Sequence, residues 1–298
     1  MNLQEKIQKY KIKFGIDINE YYQALETYIR VNTLKIDVDK VVKELEERGY
    51  TLEKLPYADF AFKVLNKDKI ITKELEYAIG YIFSHDASSI LVPIILEPNE
   101  NEYVLDLCAA PGGKTTEIAQ LMNNKGFILA NDMTIDRIKA LASNIQRMGV
   151  LNTIISMEDG RFLYKKIQNF FDKVLVDAPC SATGTFKLDA INAVSKRSLE
   201  RISKIQRSLL KSAYFMTKKE GIIVYSTCSL EIEENEAVID WFIKNFNVEL
   251  LDIKVRGIEL RDGYVKFEDY EFDKEIAKTK RIVNKGQESF FIAKMKKL

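Results

Sequence analysis

The chain has 298 residues, with 45 Lys and Arg against 44 Asp and Glu, a formal net charge of +1, and 46% apolar side chains. That length supports one large domain or two modest ones, and so even a charge balance does not announce a nucleic-acid partner, so any basic surface must be local. Three cysteines argue against a disulfide scaffold, no apolar run is long enough to span a bilayer, and MNLQEKIQKYKIKFG lacks a signal peptide's apolar core, which together point to a reducing cytoplasm.

The first hundred residues read as a small α+β unit. A helix is predicted over NEYYQALETYIR (19–30), then a strand over IRVNTLKI (29–36), a helix over DVDKVVKELEERG (37–49) and strand-like pieces such as FAFKVL (60–65). The run LVPIILEPNENE (91–102) marks a boundary near residue 100, which gives domains of 1–100 and 101–298. From there strands alternate with helices. YVLDLC (103–108) is a strand, followed by a glycine loop and a helix through Ile118 and Leu121. GFILAND (126–132) is the second strand, and the helix IDRIKALASNIQRM (135–148) ends on Gly149 as a C-cap. NTIISM (152–157), FDKVLVDAP (171–179) and GIIVYSTC (221–228) are the next three strands. A long helix over 198–217 sets Ile202, Ile205, Leu209, Ala213 and Met216 on one face, and a last helix is expected to start from Ser229 as N-cap. Strands apolar on both faces, alternating with helices, imply a doubly covered parallel sheet of the Rossmann-like α/β class. Such sheets bind ligands beyond the carboxyl ends of their strands, where Cys108, Asp132, Asp159, Asp177, Cys180 and Cys228 all fall.

The loop from Cys108 to Thr115 is nearly a phosphate-binding P-loop, but Cys108 stands where its first glycine belongs and Pro111 removes one backbone N–H from the cradle. Asp132, at the end of the second strand, is placed to accept hydrogen bonds from ribose hydroxyls. A loop poor in phosphate donors beside a ribose-binding carboxylate suggests an adenosine ligand without a pyrophosphate, and S-adenosylmethionine fits that description. The competing readings are a bare tight turn and a P-loop hydrolase.

Cys180 and Cys228 each follow a buried strand directly, and adjacent parallel strands bring such ends close together. Two buried structural cysteines are the plain reading. The sharper one is nucleophilic catalysis by a thiolate, with Cys228 helped by the dipole of the helix expected next. Metal binding is disfavoured: the chain has no C-x-x-C pair, and its only histidine, His85, lies in the other domain.

Taken together, CAAPGGKTT (108–116), DAPCSATG (177–184) and YSTCSLEIEENE (225–236) resemble the Nop/Sun (Fmu-like) family of RNA cytosine carbon-5 methyltransferases. IRVNTLK and DASSILVP resemble the family's segments ahead of the catalytic domain, and ESFFIAKMKK its last strand. The resemblance implies that Cys108, Ala109, Ala110, Pro111, Gly112, Gly113 and Lys114 line the S-adenosylmethionine site. It further implies Asp132 on the ribose with Arg137 nearby, Asp159 at the adenine edge, and Asp177 between cofactor and substrate. Cys228 would be the nucleophile and Cys180 the residue that helps release product, with Asp177 and Lys114 completing the catalytic set. The expected substrate is cytidine in RNA, tRNA ahead of ribosomal RNA, acted on by a cytoplasmic monomer without metal or membrane. A non-catalytic RNA-binding scaffold and a DNA cytosine methyltransferase are the remaining rivals; the latter expects Pro-Cys-Gln, and here Ser181 follows Cys180.

The chain departs from the family pattern at His85, where glutamine is usual, at CSATG, at KLDAINAV, where a proline segment is missing, and at RIVNKGQESFF, which lacks Pro-His. The expected form is compact, without an appended RNA-binding domain, so RNA would be gripped by the N-terminal unit and by local basic surface. Two stretches supply it. Between residues 185 and 219 stand Lys187, Lys196, Arg197, Arg201, Lys204, Arg207, Lys211, Lys218 and Lys219. From residue 274 come Lys274, Lys278, Lys280, Arg281, Lys285, Lys294, Lys296 and Lys297.

Overall fold

The structure, a computed structural model, describes residues 3–298. Two helices, α1 (Leu3–Phe14) and α2 (Ile18–Ala24), open the described chain. They are followed by β1 (Thr27–Val31), α3 (Val38–Glu47), β2 (Leu52–Lys54), β3 (Ala61–Val64), α4 (Leu75–Ala78) and β4 (Ile82–Ser84). The strands form an antiparallel sheet in the order β2-β3-β1-β4. Ile29 and Val31 of β1 pack with Val41 and Leu45 of α3, whose N-terminus is capped by Asp37. The helix expected over 19–30 therefore stops at Ala24, because Thr27–Val31 is β-branched and aromatic and pairs with β3 and β4. The strand expected to run to Ile36 ends at Val31, where the Asn32 side chain donates to Gly80 O and Met148 O, both at 2.8 Å.

The second sheet is larger. One half of it is built from β5 (Tyr103–Asp106), β6 (Phe127–Asp132), β7 (Thr153–Met157), β8 (Phe171–Asp177) and β9 (Thr217–Thr227), all parallel to one another. Between them run α6 (Gly113–Leu121), α7 (Ile135–Met148), α8 (Leu188–Ala193) and α9 (Lys196–Met216). After β9 come α10 (Glu236–Asn245), β10 (Val248–Leu251) and β11 (Arg261–Asp262). A small hairpin, β12 (Lys266–Phe267) and β13 (Tyr270–Glu271), precedes β14 (Lys280–Ile282) and β15 (Phe290–Lys297). The sheet order is β11-β14-β15-β9-β8-β5-β6-β7, with β10 against β15. The expected parallel sheet is thus one half of a mixed one, since β15 returns antiparallel to β9. Strand β7 is also not buried on both faces: as an edge strand it leaves Ile154 and Met157 exposed.

Helices cover both faces. Ile118, Met122, Leu141 and Ile145 of α6 and α7 pack on Val104, Ile128, Leu175 and Val224. On the other face Leu209, Leu210, Val238, Ile239 and Phe242 of α9 and α10 pack on Leu105, Val174, Val176 and Ile223. Each such fully buried side chain contributes roughly 1.5–3 kcal/mol. Gly149 ends α7 in the left-handed region at φ 71°, as its place in the sequence predicts. Helix α5 (Ala87–Leu96) precedes residue 100, yet its Leu91, Val92, Ile95 and Leu96 belong to the large sheet's core. Likewise Tyr10, Ile16 and Ile18 near the N-terminus pack against Phe186, Ile191, Leu230 and Val283. From β1 the buried Arg30 reaches α6, where it donates to Gln120 Oε1 and, at 2.8 Å, to Thr116 Oγ1. The chain runs outward from β5 to β7, then crosses back to β8 and β9, so the order reverses between β5 and β8. That reversal opens a crevice at the strand ends. No helix among the described residues is long and apolar enough to cross a membrane.

Candidate active site

Five strand ends meet in this crevice. At the end of β5, Asp106 is buried and accepts from Thr115 Oγ1 at 2.7 Å, while its Oδ1 has no partner among the described residues. Burial pushes its carboxyl up to about 7, with Asp177 and Asp132 adding to the effect and Thr115 opposing it. The loop Cys108–Gly112 then turns into α6, with Gly112 at φ 105°, a conformation that favours glycine. Gly113 packs tightly: a Cβ there would lie 3.2 Å from the Phe83 ring and 3.3 Å from His85 Nδ1. Ala109 N donates to Asn131 O at 2.8 Å and Ala110 N to Asp132 Oδ2 at 3.1 Å, so the end of β6 carries the loop.

The β6 and β7 ends are already paired. Asp132 Oδ1 accepts from Arg137 Nε at 2.8 Å, and Arg137 Nη2 donates to Ala110 O at 3.0 Å. Asn131 donates to Leu107 O and Glu158 O, both at 3.1 Å, and ties three strand ends together. Asp159 holds Arg161 through both carboxylate oxygens, and those hydrogen bonds keep its carboxyl below the usual range. The Cys108 thiol is pushed well up, first by burial and then by Asp106, Asp132 and Asp177.

The β8 and β9 ends carry the two cysteines. Register pairs Asp177 with Ser226, whose hydroxyl donates to Asp177 Oδ1 at 2.7 Å. Lys114 Nζ donates to Asp177 Oδ2 at 2.7 Å and to Ser89 Oγ at 3.3 Å. Burial works against the Lys114 ammonium, but the charge and hydrogen bond of Asp177 outweigh it and the pKa is raised. Cys180 Sγ and Cys228 Sγ lie 3.3 Å apart, both free. The hydrogen bond to Cys180, then burial, pushes the Cys228 thiol well above its ordinary value.

Each cysteine turn has its own support. Around Cys180, Gln206 donates to Pro179 O at 3.0 Å, and Ser181 N donates to Glu234 Oε2 at 2.9 Å. Around Cys228, Asn235 donates to Ser229 O at 2.8 Å and accepts from Thr227 Oγ1 at 2.6 Å, while Gly184 N donates to Cys228 O at 2.9 Å. The expected helix start at Ser229 is displaced by this network. A short 3-10 turn (Ile232–Glu234) intervenes and α10 begins at Glu236, so no helix N-terminus lies at Cys228 to lower its pKa.

All the candidate residues from Cys108 to Cys228 are thus brought to one crevice. Sequence reasoning missed Ser89, Ser226, Asn131, Gln206 and the run Glu234–Asn235, which hold them there. Polar residues inside buried runs, such as Asn131 before Asp132, were the available signal. His85, placed in the other domain from sequence, borders the crevice beside Gly113, and its pKa is lowered well below the ordinary value by burial, then by Arg30 and Lys114. No group of residues suited to a metal ion occurs among the described residues.

The expected basic tail from residue 274 is largely paired within the protein. Arg281 is buried on Glu236, Lys280 on Asp252 and Asp262, and Lys294, Lys296, Lys285 and Lys278 pair with Glu97, Glu220, Glu20 and Glu275. Lys297 donates to carbonyls of Tyr214 and Thr217. Pairing lowers the net field these cations present, whereas Lys274 is exposed and has no ion-pair partner among the described residues.

A Rossmann-like sheet with a glycine loop after its first strand, an acidic second strand end and reactive residues at the fourth defines an S-adenosylmethionine-dependent methyltransferase. The chain belongs to the Nop/Sun family of RNA cytosine-C5 methyltransferases: the family model for 16S rRNA methyltransferase RsmB/F matches residues 93–296. The ferredoxin-like domain of NOL1/NOP2/Sun domain family member 5 matches residues 25–76. The chain is 36% identical to the tRNA (cytosine(49)-C(5))-methyltransferase of Pyrococcus abyssi, over 93% of this chain and 89% of that protein. It is 39% identical to the 28S rRNA (cytosine-C(5))-methyltransferase of Mus musculus, over 90% of this chain but 35% of that protein. Among solved structures, a methyltransferase homolog protein from Pyrococcus horikoshii superimposes with a TM-score of 0.86 at 34% identity, covering 99% of both chains.

Proposed function

We propose that this chain methylates carbon 5 of a cytidine in RNA through a covalent adduct on Cys228, with Cys180 serving product release. The observation that carries this reading is the pair of sulfurs 3.3 Å apart beside the Lys114–Asp177 ion pair. Carbon 5 of cytosine is a poor nucleophile until a thiolate bonds to carbon 6. Cys228 gives up its proton to solvent, its thiolate bonds to carbon 6, and the carbon 5–carbon 6 π pair moves toward carbon 5. Lys114, oriented by Asp177, supplies positive charge at the ring's nitrogen side, where negative charge accumulates. S-adenosylmethionine, when bound, supplies a methyl group on a sulfonium. Loss of the proton from carbon 5 then lets the bond to Cys228 Sγ break, and Cys180 is the adjacent acid–base partner for that release.

The residues present fit the cofactor. The unpartnered Asp106 Oδ1, the Gly112–Gly113 turn and the Asp132–Arg137 pair form a polar cradle where an adenosine ligand approaches backbone closely. In our reading Cys108–Lys114 line it, Asp132 takes the ribose and Asp159 the adenine edge. A P-loop reading is not favoured, since Lys114 is bound to Asp177 and Ser89.

Lys187, Lys196, Arg197, Arg201 and Lys204 are exposed and have no ion-pair partner among the described residues; we assign RNA phosphate contacts to them, with the N-terminal helix α1 beside them. Arg207 is excluded, because its guanidinium lies over Trp241 and donates to Ala237 O. We favour tRNA over ribosomal RNA because the tRNA enzyme is matched along nearly its whole length. The test is incubation with labelled S-adenosylmethionine and total RNA from cells lacking the protein. Label on carbon 5 of one cytidine supports the reading, and its absence from cytidine overturns it.

A further inference from the structure

Every carboxylate around the crevice but one has a partner. Asp177 holds Lys114 and Ser226, Asp132 holds Arg137, Asp159 holds Arg161, and Asp86 accepts from Ser88 N at 2.8 Å and Glu288 N at 2.9 Å. The exception is Glu288. Its backbone is fixed on both sides: Ser88 Oγ donates to Glu288 O at 2.7 Å, and Ser289 N donates to Gly184 O at 2.9 Å. Gly184 N in turn donates to Cys228 O, and a Cβ on Gly184 would lie 2.4 Å from Ser289 O. So the 288–289 backbone is packed onto the turn that carries Cys228. The carboxylate itself has no hydrogen bond or ion pair among the described residues. It borders an open cleft of about 220 Å³ lined by residues 25–28, Ser84, His85 and Asp86, so a ligand can reach it from the side of the N-terminal sheet, and of these residues His85 also flanks Gly113 at the crevice. Burial and then Asp86 push this carboxyl up to about 7, while Lys187 and Lys114 oppose them. Its charge also acts on Cys228.

A carboxylate whose backbone is packed on the nucleophile's turn, and which is left without a donor, is a receptor for a donor on the substrate. The edge of a flipped cytosine offers one in its exocyclic amino group, whereas uracil has an acceptor oxygen at the same position. We propose that Glu288 is a specificity-determining residue that accepts a hydrogen bond from the cytosine amino group and rejects uracil. The inference rests on the cytidine methylation reading above. In its ionised form a carboxylate can only receive a hydrogen bond and so discriminates strongly, because the wrong base sets two acceptors face to face; the assay is therefore run at about pH 8.5, where a carboxyl raised to about 7 is ionised.

The experiment uses tRNA and ribosomal RNA transcripts made once with 5-fluorocytidine and once with 5-fluorouridine, incubated with S-adenosylmethionine and run on denaturing gels. Fluorine at carbon 5 leaves no proton to remove, so the Cys228–carbon 6 bond persists after methyl transfer. Wild type should trap the fluorocytidine RNA and spare the fluorouridine RNA. Glu288→Gln, whose amide can donate to the uracil oxygen, should lower that preference tenfold or more, with cofactor affinity and melting temperature unchanged. Glu288→Asp, which keeps the acceptor, should hold the preference within a few-fold of wild type. An unchanged preference in Glu288→Gln, or an equal loss with both RNAs in Glu288→Gln and Glu288→Asp, overturns the assignment of Glu288 alone. A wild-type protein that fails to trap fluorocytidine RNA overturns the methylation reading and this inference with it.

Discussion

The two halves of the crevice are built differently. At the β6 and β7 ends the charged groups are satisfied before any ligand arrives: Asp132 is held by Arg137 and backbone N–H groups, and Asp159 by Arg161. At the β8 and β9 ends the groups crowd together under burial, with two thiols in contact and a lysine raised by its aspartate. A half whose charges are paired is preorganised to hold a ligand in one pose, because little has to rearrange. A half whose protonation is perturbed is suited to moving protons and electron pairs. The loop Cys108–Lys114 joins the two, bonded to Asp132 at one end and Asp177 at the other.

The largest expected effect breaks the reactive half. Cys228→Ala should abolish methylation and form no covalent RNA adduct, whereas Cys180→Ala should allow attack and methyl transfer but stall before release. Protein would then stay attached to RNA on denaturing gels with cofactor present. A stable adduct in Cys228→Ala and none in Cys180→Ala would reverse the roles. Because the Cys228 pKa is raised by Cys180 and burial, the thiolate fraction grows with pH. The wild-type adduct rate should accordingly climb across the neutral to alkaline range, as a single-turnover pH series would show.

The paired half should respond by affinity instead. Asp132→Ala is expected to weaken S-adenosylmethionine binding by about 1–3 kcal/mol, roughly fivefold to 150-fold, through unpaired ribose hydroxyls. Calorimetry is the check, and unchanged affinity would remove Asp132 from the site.

A smaller effect concerns the seam behind the loop, where Glu117 of α6 is buried near Arg30 and His85. Burial, opposed by Arg30 and Lys114, pushes its carboxyl up to about 8 from an ordinary 4.5. The folded state therefore keeps a proton that the unfolded state releases. Its contribution is full below the unfolded pKa, falls as pH rises from about 4.5 to about 8, and is constant above. Glu117→Gln should remove that decline, so its melting temperature should gain on wild type by a few degrees between pH 5 and 8. Parallel melting curves across that range would sink the idea.

The sequence made the parallel half and the strand-end residues legible because both follow from local patterns: apolar runs, a glycine pair, and cysteines one to three residues past a strand. The last strand is expected from ESFFIAKMKK, but not its direction, since β15 and β14 come back antiparallel through contacts remote in the chain. The start of α10 was misplaced for a related reason. Ser229 is a good cap by residue type, but its hydroxyl accepts from Glu231 N, while Asn235 ties the Cys228 turn and postpones the helix. The roles of Glu234 and Gln206 were invisible because each is defined by a partner on another element.

The smallest expected effect concerns two basic stretches that look alike in sequence and differ in structure. On α9 and just before it, Lys196, Arg197, Arg201 and Lys204 face solvent without ion-pair partners, whereas Lys278 and Lys285 pair with Glu275 and Glu20. An exposed, unpaired cation attracts phosphate at full charge; a paired one has a carboxylate beside it that cancels most of its field. Reversing Arg201 and Lys204 to glutamate should weaken RNA binding about three- to tenfold at moderate salt and lower the salt slope by about 1–2, as expected for two lost phosphate contacts. Cofactor affinity should not move, because neither residue touches the strand ends. The matching reversal of Lys278 and Lys285 should leave RNA affinity within about twofold and the slope unchanged. Filter binding at several salt concentrations separates the two pairs. Equal effects from both would show that net charge alone draws the RNA, and no effect from Arg201 and Lys204 would make α9 a solvated face.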